Sequence, residues 1–217
     1  MNEKQLIAAQ AAQRIQTGMC VGLGTGSTAN LFIEALAARV SQEQLQINCV
    51  ASSVISAIKA RQSGLTLVSL ELLSALDVYV DGADEVAPDL TVLKGRGSDL
   101  VREKLLAQAS REFWVLADSS KFVNYIGERY PIPLEVMPFA WQMVKAQLEA
   151  LGGRGDLRPN AAKDGLHVSS HGSLVLDMTF NGDNIHTLNQ TLNGVAGIVE
   201  HGIFVNLATE VIRGDSS

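Results

Sequence analysis

The sequence predicts an α/β protein with a doubly wound, mainly parallel sheet domain and a small α+β ferredoxin-like domain. Two observations predict the first domain: short runs rich in valine and leucine alternate with helix-like segments from residue 3 to 121, and several runs end in glycine or charge. A third observation, a β-α-β-β-α-β order after residue 130, predicts the second domain. We place the catalytic α/β domain at 1–130 plus 205–217 and the small domain, a possible oligomer contact, at 131–204.

Hydrophobic periodicity and turn residues predict the elements of the large domain. Helices are expected over 3–16, 29–40 and 53–62, with strands at 19–23, 47–50 and 65–70 between and after them. Two strands follow at 76–80 and 90–93. The next helix begins after Gly97, with Ser98 as its N-cap and Asp99 at the positive end of its dipole. A strand at 113–117 follows, and an apolar run within 206–213 is expected to return to this domain.

The small domain is predicted from a change of pattern near residue 130. Three prolines, Pro131, Pro133 and Pro138, suit a crossing between domains. An amphipathic helix over 139–151 comes next, and then a hairpin of 166–170 with 173–180. A helix near 184–192 and a strand near 197–204 complete the order.

Composition and charge limit the function classes. The 217 residues are 47% hydrophobic and 18% charged, which is typical of a globular protein. The net charge of −6 argues against general binding of nucleic acid or acidic membranes, so an anionic ligand must be held locally. The N-terminus lacks a signal-peptide pattern, and no stretch approaches the ~20 apolar residues of a membrane helix. We therefore expect a cytoplasmic protein.

Cysteines and histidines predict no metal site. Cys20 and Cys49 lie in apolar runs without metal-ligand spacing, so we interpret them as small buried hydrophobic residues in a reducing compartment. The histidines also lack ligand spacing and are expected in surface or structural positions. They are His167, His171, His186 and His201.

The turn from Gly24 to Thr28 joins a predicted strand to a predicted helix and indicates a phosphate site. Its glycines let N–H groups converge at the helix N-terminus, and Thr25, Ser27 and Thr28 add hydroxyl groups. The turn lacks the Gly-Lys-Ser/Thr of an NTPase loop, and no acid follows the next strand to hold a ribose. The alternative that these hydroxyls only cap the helix stays open.

Charge and glycine follow the strands at 76–80 and 90–93. Asp81-Gly-Ala-Asp-Glu85 ends the first strand and Lys94-Gly-Arg-Gly97 the second, and ligands of open α/β sheets bind beyond such ends. Glu103, on the next helix, has the apolar neighbours Leu100, Leu106 and Ala107, which would raise a carboxyl pKa toward that of a general base. Two alternatives stay open: ordinary solvated loops, and a solvated glutamate paired with lysine or arginine.

Taken together, these segments resemble those of A-type ribose-5-phosphate isomerases, in the same order along nearly the whole chain. The matching segments are 22–28, 79–85, 94–97, 102–104, 117–121, 133–136 and 197–204. The resemblance implies interconversion of D-ribose 5-phosphate and D-ribulose 5-phosphate in the pentose phosphate pathway. It also implies no metal or organic cofactor, and a homodimer or homotetramer.

The resemblance also implies a role for individual residues. Glu103 would move a proton between C1 and C2 through a cis-enediolate, and Lys94 would stabilise the enediolate oxygen. Asp81 would assist opening of the furanose ring, and Asp84 would hold hydroxyl groups. The implied substrate-binding set is Lys4, Thr25, Gly26, Ser27, Thr28, Asp81, Gly82, Ala83, Asp84, Lys94, Gly95, Arg96, Gly97 and Lys121.

Some positions depart from the family pattern. Arg96 interrupts a glycine run, and Asp99 stands where a small or apolar residue is usual. Being three residues apart, they are expected to neutralise each other. Arg96→Gly would then leave Asp99 as a like charge near Glu103 and shift the acid limb of the pH–rate profile upward.

Two other function classes compete with the isomerase. A non-catalytic sugar-phosphate sensor of related fold would need the phosphate turn but not Glu103 and Lys94 together, so the presence of both favours an enzyme. A nucleotide-linked enzyme, such as a dehydrogenase or coenzyme A transferase, is disfavoured because the sequence lacks a cofactor motif.

Overall fold

The structure, a computed structural model, describes residues 2–97, 99–180 and 184–214, and its contacts divide them into two units. Unit 1 contains residues 2–83, 102–122 and 206–214, and unit 2 contains residues 84–101 and 123–205. The predicted domain boundaries near 130 and 205 stay a prediction. Ser98, the predicted N-cap, lies outside the described residues.

The helices and strands are numbered in chain order. They are α1 (Glu3–Gln13), β1 (Cys20–Leu23), α2 (Ser27–Glu43), β2 (Asn48–Ala51), α3 (Val54–Gln62), β3 (Leu76–Gly82), β4 (Glu85–Val86), β5 (Val92–Leu93), α4 (Leu100–Ala109), β6 (Ser110–Ala117), β7 (Ile132–Val136), α5 (Trp141–Ala150), β8 (Arg154–Leu157), β9 (Leu174–Thr179), α6 (Ile185–Asn193), β10 (Ile198–His201), β11 (Ile203–Phe204) and β12 (Glu210–Arg213). Short 3-10 turns lie at Leu70–Leu72, Ser119–Lys121 and Pro138–Ala140.

Unit 1 is built on a five-stranded parallel sheet in the order β12-β6-β3-β1-β2. Its central strands are short apolar runs because their side chains are covered on both faces. Ile7 of α1, Phe32 and Leu36 of α2, and Val80 of β3 are fully buried in one core. The predicted doubly wound parallel sheet is confirmed, and the predicted return of the C-terminal run is the pairing of β12 with β6.

Unit 2 contains a four-stranded antiparallel sheet in the order β10-β7-β9-β8. With α5 and α6 this gives the predicted β-α-β-β-α-β order, but the second strand is β8 and not the predicted segment 166–170. The core of the unit includes Leu134, Val144, Leu176 and Leu192. A separate three-stranded sheet, β11-β5-β4, also belongs to unit 2. The α6 helix begins after Asn184, whose side chain accepts from the N–H groups of its first turn.

Two predicted strands of the first half are wrong in extent. The segment 65–70 forms only a bridge between Leu67 and Cys49, because the chain turns into a 3-10 helix at Leu70–Leu72. The segment 90–93 is a strand only from Val92, since Leu90 has a φ of 64° in a turn. This strand, β5, pairs antiparallel with β4 and β11 and does not join the parallel sheet.

Two predictions in the small domain also change. The segment 166–170 contacts the following strand only through a bridge from Val168 to Leu174, because β8 and β7 already occupy both edges of β9. The predicted strand at 197–204 divides into β10 and β11 at Gly202. The N–H of Gly202 donates to Pro133 O and its carbonyl accepts from Lys94 N, so this residue turns the chain from one sheet to the other.

The cysteines occupy the strands in which they were predicted, Cys20 in β1 and Cys49 in β2. Burial, with a smaller contribution from Cys20, raises the pKa of the Cys49 thiol to about 12. Within 2–97, 99–180 and 184–214, no three His, Cys, Asp or Glu side chains are grouped as a metal would need. No helix in these ranges has the length and apolar composition to cross a membrane.

Candidate active site

The predicted site residues fall in both units, and each unit is described by itself. Unit 1 holds the residues of the 24–28 turn, the end of β3 and Glu103, and unit 2 holds the lysine loop, which we define as residues 94–97. The unit 1 members are Lys4, Thr25, Gly26, Ser27, Thr28, Asp81, Gly82, Ala83, Glu103 and Lys121. The unit 2 members are Asp84, Lys94, Gly95, Arg96 and Gly97.

Asp81 is a buried carboxylate of unit 1 that several hydrogen-bond donors hold. It lies at the end of β3 and is fully buried. Its Oδ1 accepts from the N–H of Gly82 at 2.7 Å and of Thr25 at 3.1 Å, and its Oδ2 accepts from the Tyr79 hydroxyl at 2.5 Å. Because donors from β3 and from the 24–28 turn converge on this carboxylate, it is held in one orientation against the turn.

Asp81 can occupy this position because residue 24 is glycine and has no side chain. A Cβ atom on Gly24 would lie 2.0 Å from Asp81 Oδ1 and 2.1 Å from its Cγ. No side chain fits there unless the carboxylate moves. The turn glycine is therefore required by close packing against the site, in addition to any approach of a ligand.

Gly24→Ala is expected to displace Asp81 and lower kcat/KM at least ~10-fold, with a loss of about 1–3 kcal/mol of stability from overpacking. Steady-state kinetics and thermal unfolding measure the two effects. Gly194→Ala is the matched control, since its Cβ would meet its nearest neighbour at 3.4 Å with φ −93°. Equal activity of Gly24→Ala and wild type would contradict the role given to Gly24.

The hydroxyl of Thr25 is engaged in a cluster of serines. It donates to Ser53 Oγ at 2.7 Å and lies 2.8 Å from Ser52 Oγ and 3.2 Å from Ser56 Oγ. A hydroxyl donates once and accepts twice, so this group is saturated. The three serines are buried. Thr25 thus ties the turn to the start of α3, and Ser27 and Thr28 are the turn hydroxyls that we expect to meet a phosphate.

The N-terminus of α2 has the features of an anion site. Gly26, at its N-cap, has a φ of 116° and makes no side-chain cap bond, so the alternative that Ser and Thr only cap this helix is not supported. Lys4 Nζ donates to Ser27 Oγ at 3.4 Å. A cation and the positive end of a 17-residue helix therefore lie together.

Lys121, like Lys4, lies near Asp118 in unit 1. Burial opposes ionisation of Asp118, but hydrogen bonds from Ser120 and the charges of Lys4 and Lys121 outweigh burial and lower the Asp118 pKa. Lys4 Nζ is 3.6 Å from Asp118 Oδ2. Asp118 thus brings the two predicted lysines to one place.

Glu103 lies on α4 and is only 4% exposed. Leu106 and Ala107 of the same helix are buried with it. The expectation of apolar neighbours is confirmed, and the alternative of a solvated surface glutamate is wrong. Burial raises the pKa of the Tyr79 hydroxyl well above its usual value, and the charges of Asp81 and Glu103 add to the effect. The negative charges of Asp81 and Glu103 therefore both disfavour ionisation of the buried Tyr79 hydroxyl.

In unit 2, the lysine loop is held through its backbone. Lys94 is 4% exposed, its N–H donates to Gly202 O at 2.9 Å, and its Nζ lies 5.9 Å from the Phe204 ring centroid. Asp84 Oδ2 accepts from the N–H of Arg96 at 3.2 Å. Gly95 has a φ of 101°, and a Cβ there would lie 2.4 Å from the Leu100 side chain. The loop conformation therefore requires glycine at 95 and places Asp84 against it.

The expected pairing of Arg96 with Asp99 is wrong for the contacts that the structure describes. The Arg96 guanidinium lies 4.1 Å from the centroid of the Tyr130 ring, and Asp99 accepts a hydrogen bond from the Ser170 hydroxyl. The Arg96 guanidinium therefore interacts with an aromatic face and not with the Asp99 carboxylate. Without this pair, there is no reason to expect that Arg96→Gly shifts the acid limb of the pH–rate profile.

Sequence analysis missed several residues that support the site. Glu85, one of the acids after β3, accepts from the N–H groups of Gly127, Arg129 and Tyr130 and is a structural cap for that loop. Arg158 donates to the Gly95 and Gly97 carbonyls of the lysine loop. No local pattern signals either role, because the partners lie more than 40 residues away in the chain.

Comparisons with known proteins identify the relatives of this chain. The family model described as ribose 5-phosphate isomerase A (phosphoriboisomerase A) matches residues 48–217. A ribose-5-phosphate isomerase A of Thermosynechococcus vestitus is 41% identical over 216 residues, covering 98% of this chain and 91% of the relative. One from Methanothermobacter thermautotrophicus is 42% identical over 217 residues, covering 100% and 95%.

Solved structures agree with these relatives. Ribose 5-phosphate isomerase A of Methanocaldococcus jannaschii superposes with a TM-score of 0.94 at 35% identity, covering 99% of this chain and 95% of that one. A D-ribose-5-phosphate isomerase solved in complex with phospho-erythronic acid also has a TM-score of 0.94 at 35% identity, with coverages of 99% and 96%. Sequence comparison and structural superposition thus both lead to ribose-5-phosphate isomerases, over nearly the full chain.

Proposed function

Because this chain belongs to the ribose 5-phosphate isomerase A family, it interconverts D-ribose 5-phosphate and D-ribulose 5-phosphate, and we propose that Glu103 is the base of this reaction. In the open-chain aldose, a base must remove the C2 proton and return a proton to C1. The intermediate is a cis-enediolate, in which the negative charge develops on the former carbonyl oxygen. A buried carboxylate suits this step because water does not compete for its oxygens.

Lys94 is the proposed partner of that charge. A cation placed in advance where an oxyanion forms lowers the barrier without reorganisation during the reaction. The burial of Lys94 supports the proposal, since an ammonium in a water-poor environment acts more strongly than one in solvent. The backbone bond of Lys94 to Gly202 supports it further by limiting where the side chain begins.

Asp81 and Asp84 are proposed to act on the sugar hydroxyls and on ring opening. The three donors on Asp81 support its role, because a carboxylate of defined orientation transfers or accepts a proton along a defined direction. Asp84 contacts the backbone of the lysine loop and so would orient that loop as well as bind substrate.

The phosphate group is proposed to bind at the N-terminus of α2. Lys4, Ser27 and Thr28 and the first N–H groups of the helix supply donors, and Lys121 adds a second cation. Thr25, predicted to bind substrate, is proposed instead to support Asp81, because its N–H donates to Asp81 and its hydroxyl is engaged by three serines. The remaining proposed contacts come from the backbone of Gly26, Gly82, Ala83 and the lysine loop.

The observation that carries the proposed roles is that Asp81 and Glu103 are both buried in the unit that also holds the proposed anion site of α2. Asp81 accepts from the Tyr79 hydroxyl, and the charges of both carboxylates help to raise the pKa of that hydroxyl. The test is ketose formation from D-ribose 5-phosphate in EDTA without added cofactor. Turnover under these conditions is expected. Substrate binding without turnover would favour the sugar-phosphate sensor, and a requirement for a nucleotide cofactor would favour the other competing class.

We further propose a homodimer or homotetramer, as the family resemblance implies, and a cytoplasmic location, as the sequence analysis predicts. Sedimentation equilibrium at micromolar concentration distinguishes the assemblies by mass. A species of monomer mass across the concentration range would contradict this proposal.

A further inference from the structure

Two of the four residues of the lysine loop are glycine, so its backbone has more conformational freedom than that of most loops. Gly95 also adopts a left-handed φ of 101°. Glycine loses more backbone freedom on ordering than any other residue, so such a loop needs external hydrogen bonds to stay in one conformation. Those bonds decide where Lys94 is held.

Arg158, which directly follows β8, supplies two of these bonds. Its Nη1 donates to Gly95 O at 3.0 Å and to Gly97 O at 3.2 Å, on both sides of Arg96. The side chain is only 15% exposed. One guanidinium nitrogen therefore joins both glycine carbonyls of the loop, leaving little room for either peptide to rotate.

Asp177 holds the guanidinium itself. Arg158 Nε donates to Asp177 Oδ2 at 2.8 Å and Nη2 donates to Oδ1 at 2.6 Å. Asp177 lies on β9, an inner strand of the four-stranded sheet, and the backbone N–H of Arg158 donates to Val175 O of the same strand. A bidentate pair fixes the plane of the guanidinium, and a lysine cannot reproduce this fork.

We propose that Arg158 is a positioning residue. By bonding the lysine loop to the four-stranded sheet of unit 2, it holds Lys94 in its reactive position. The proposal rests on the function proposed above for Lys94. Without Arg158 the loop would sample further conformations, and the rate would fall with the fraction of molecules that keep Lys94 in place. Neither Arg158 nor Asp177 needs to touch substrate.

The expected result for Arg158→Ala is a fall of about 10-fold or more in kcat, because fewer molecules hold Lys94 in its reactive position. KM is expected to rise as well, since the backbone of the lysine loop belongs to the proposed substrate contacts. Arg154→Gln is the matched control. Arg154 is an exposed arginine of β8. Its variant is expected to keep wild-type kinetics.

A double-mutant cycle with Lys94→Met tests whether Arg158 acts through Lys94. In the Lys94→Met background, Arg158→Ala is expected to lower kcat by less than about 3-fold, since the group that it positions is already gone. An equal fall in both backgrounds would overturn the proposal. If Lys94→Met alone keeps wild-type kcat, the role proposed for Lys94 fails instead, which separates the two failures.

Arg158→Lys keeps the proposal testable if the alanine variant does not fold. Lysine retains the charge near Asp177 but cannot bond both carbonyls and the carboxylate fork together. With an unchanged melting temperature, it is expected to show a fall in kcat of several-fold. Wild-type kcat in a folded Arg158→Lys variant would overturn the proposal.

Discussion

Glu103→Gln is expected to lower kcat for D-ribose 5-phosphate by about 10²–10⁴-fold, the usual contribution of a general base. Glutamine has nearly the same shape as glutamate, but its amide cannot accept the C2 proton. The side chain is 4% exposed on α4, so a neutral replacement should leave the fold intact. KM should change little, since the missing interaction is made in the transition state.

The measurement combines ketose formation with substrate binding by calorimetry. Glu149→Gln is the matched control, because Glu149 is an exposed helical glutamate with a surface ion pair to Lys145. Its variant is expected to match wild type, as exposed ion pairs contribute little. A folded Glu103→Gln enzyme with kcat within about 3-fold of wild type would remove Glu103 from the reaction, since a general base contributes far more.

Lys94→Met is expected to lower kcat by about 10²–10³-fold, the size of effect seen when one oxyanion donor is lost. Methionine is unbranched and apolar like the lysine stem and fits a site that is 4% exposed, but it carries no charge toward the enediolate oxygen. Binding of the ground state should weaken less than catalysis, because the full negative charge exists only in the intermediate.

Single-turnover kinetics measure this effect apart from product release. Lys59→Met is the matched control, since Lys59 forms a surface pair with Glu34 on neighbouring helices of unit 1. Loss of substrate affinity equal to the loss of kcat/KM, with kcat unchanged, would identify Lys94 as a phosphate or hydroxyl ligand and not as the oxyanion cation.

The sequence by itself determined the architecture and the segments that carry chemistry. Alternating apolar runs predicted the parallel sheet and the β-α-β-β-α-β order, and both are found, although the second strand of that order is β8 and not the segment 166–170. Glycine and charge at strand ends marked the 24–28 turn, the 81–85 segment and the lysine loop. These features are readable because periodicity, turn formation and helix starts depend on residues close together in the chain.

Tertiary structure alone decided what each marked residue does. Asp81 and Glu85 lie in the same acidic segment after one strand, but their partners differ. Glu85 caps a loop 42–45 residues further along the chain, whereas Asp81 is held by Tyr79 and by a turn 56 residues before it. Local spacing suggested an Arg96–Asp99 pair. In the structure Arg96 stacks on the Tyr130 ring, and Asp99 accepts a hydrogen bond from the Ser170 hydroxyl.

Strand pairing shows the same limit. The run at 90–93 has the composition of a parallel core strand, but its partners are β4 and β11, so it belongs to a different sheet. Arg158 reaches the lysine loop across 61 to 63 residues of chain. Hydrogen-bond partners are set by which elements pack side by side, and that choice depends on the burial of the whole chain, which no local pattern contains.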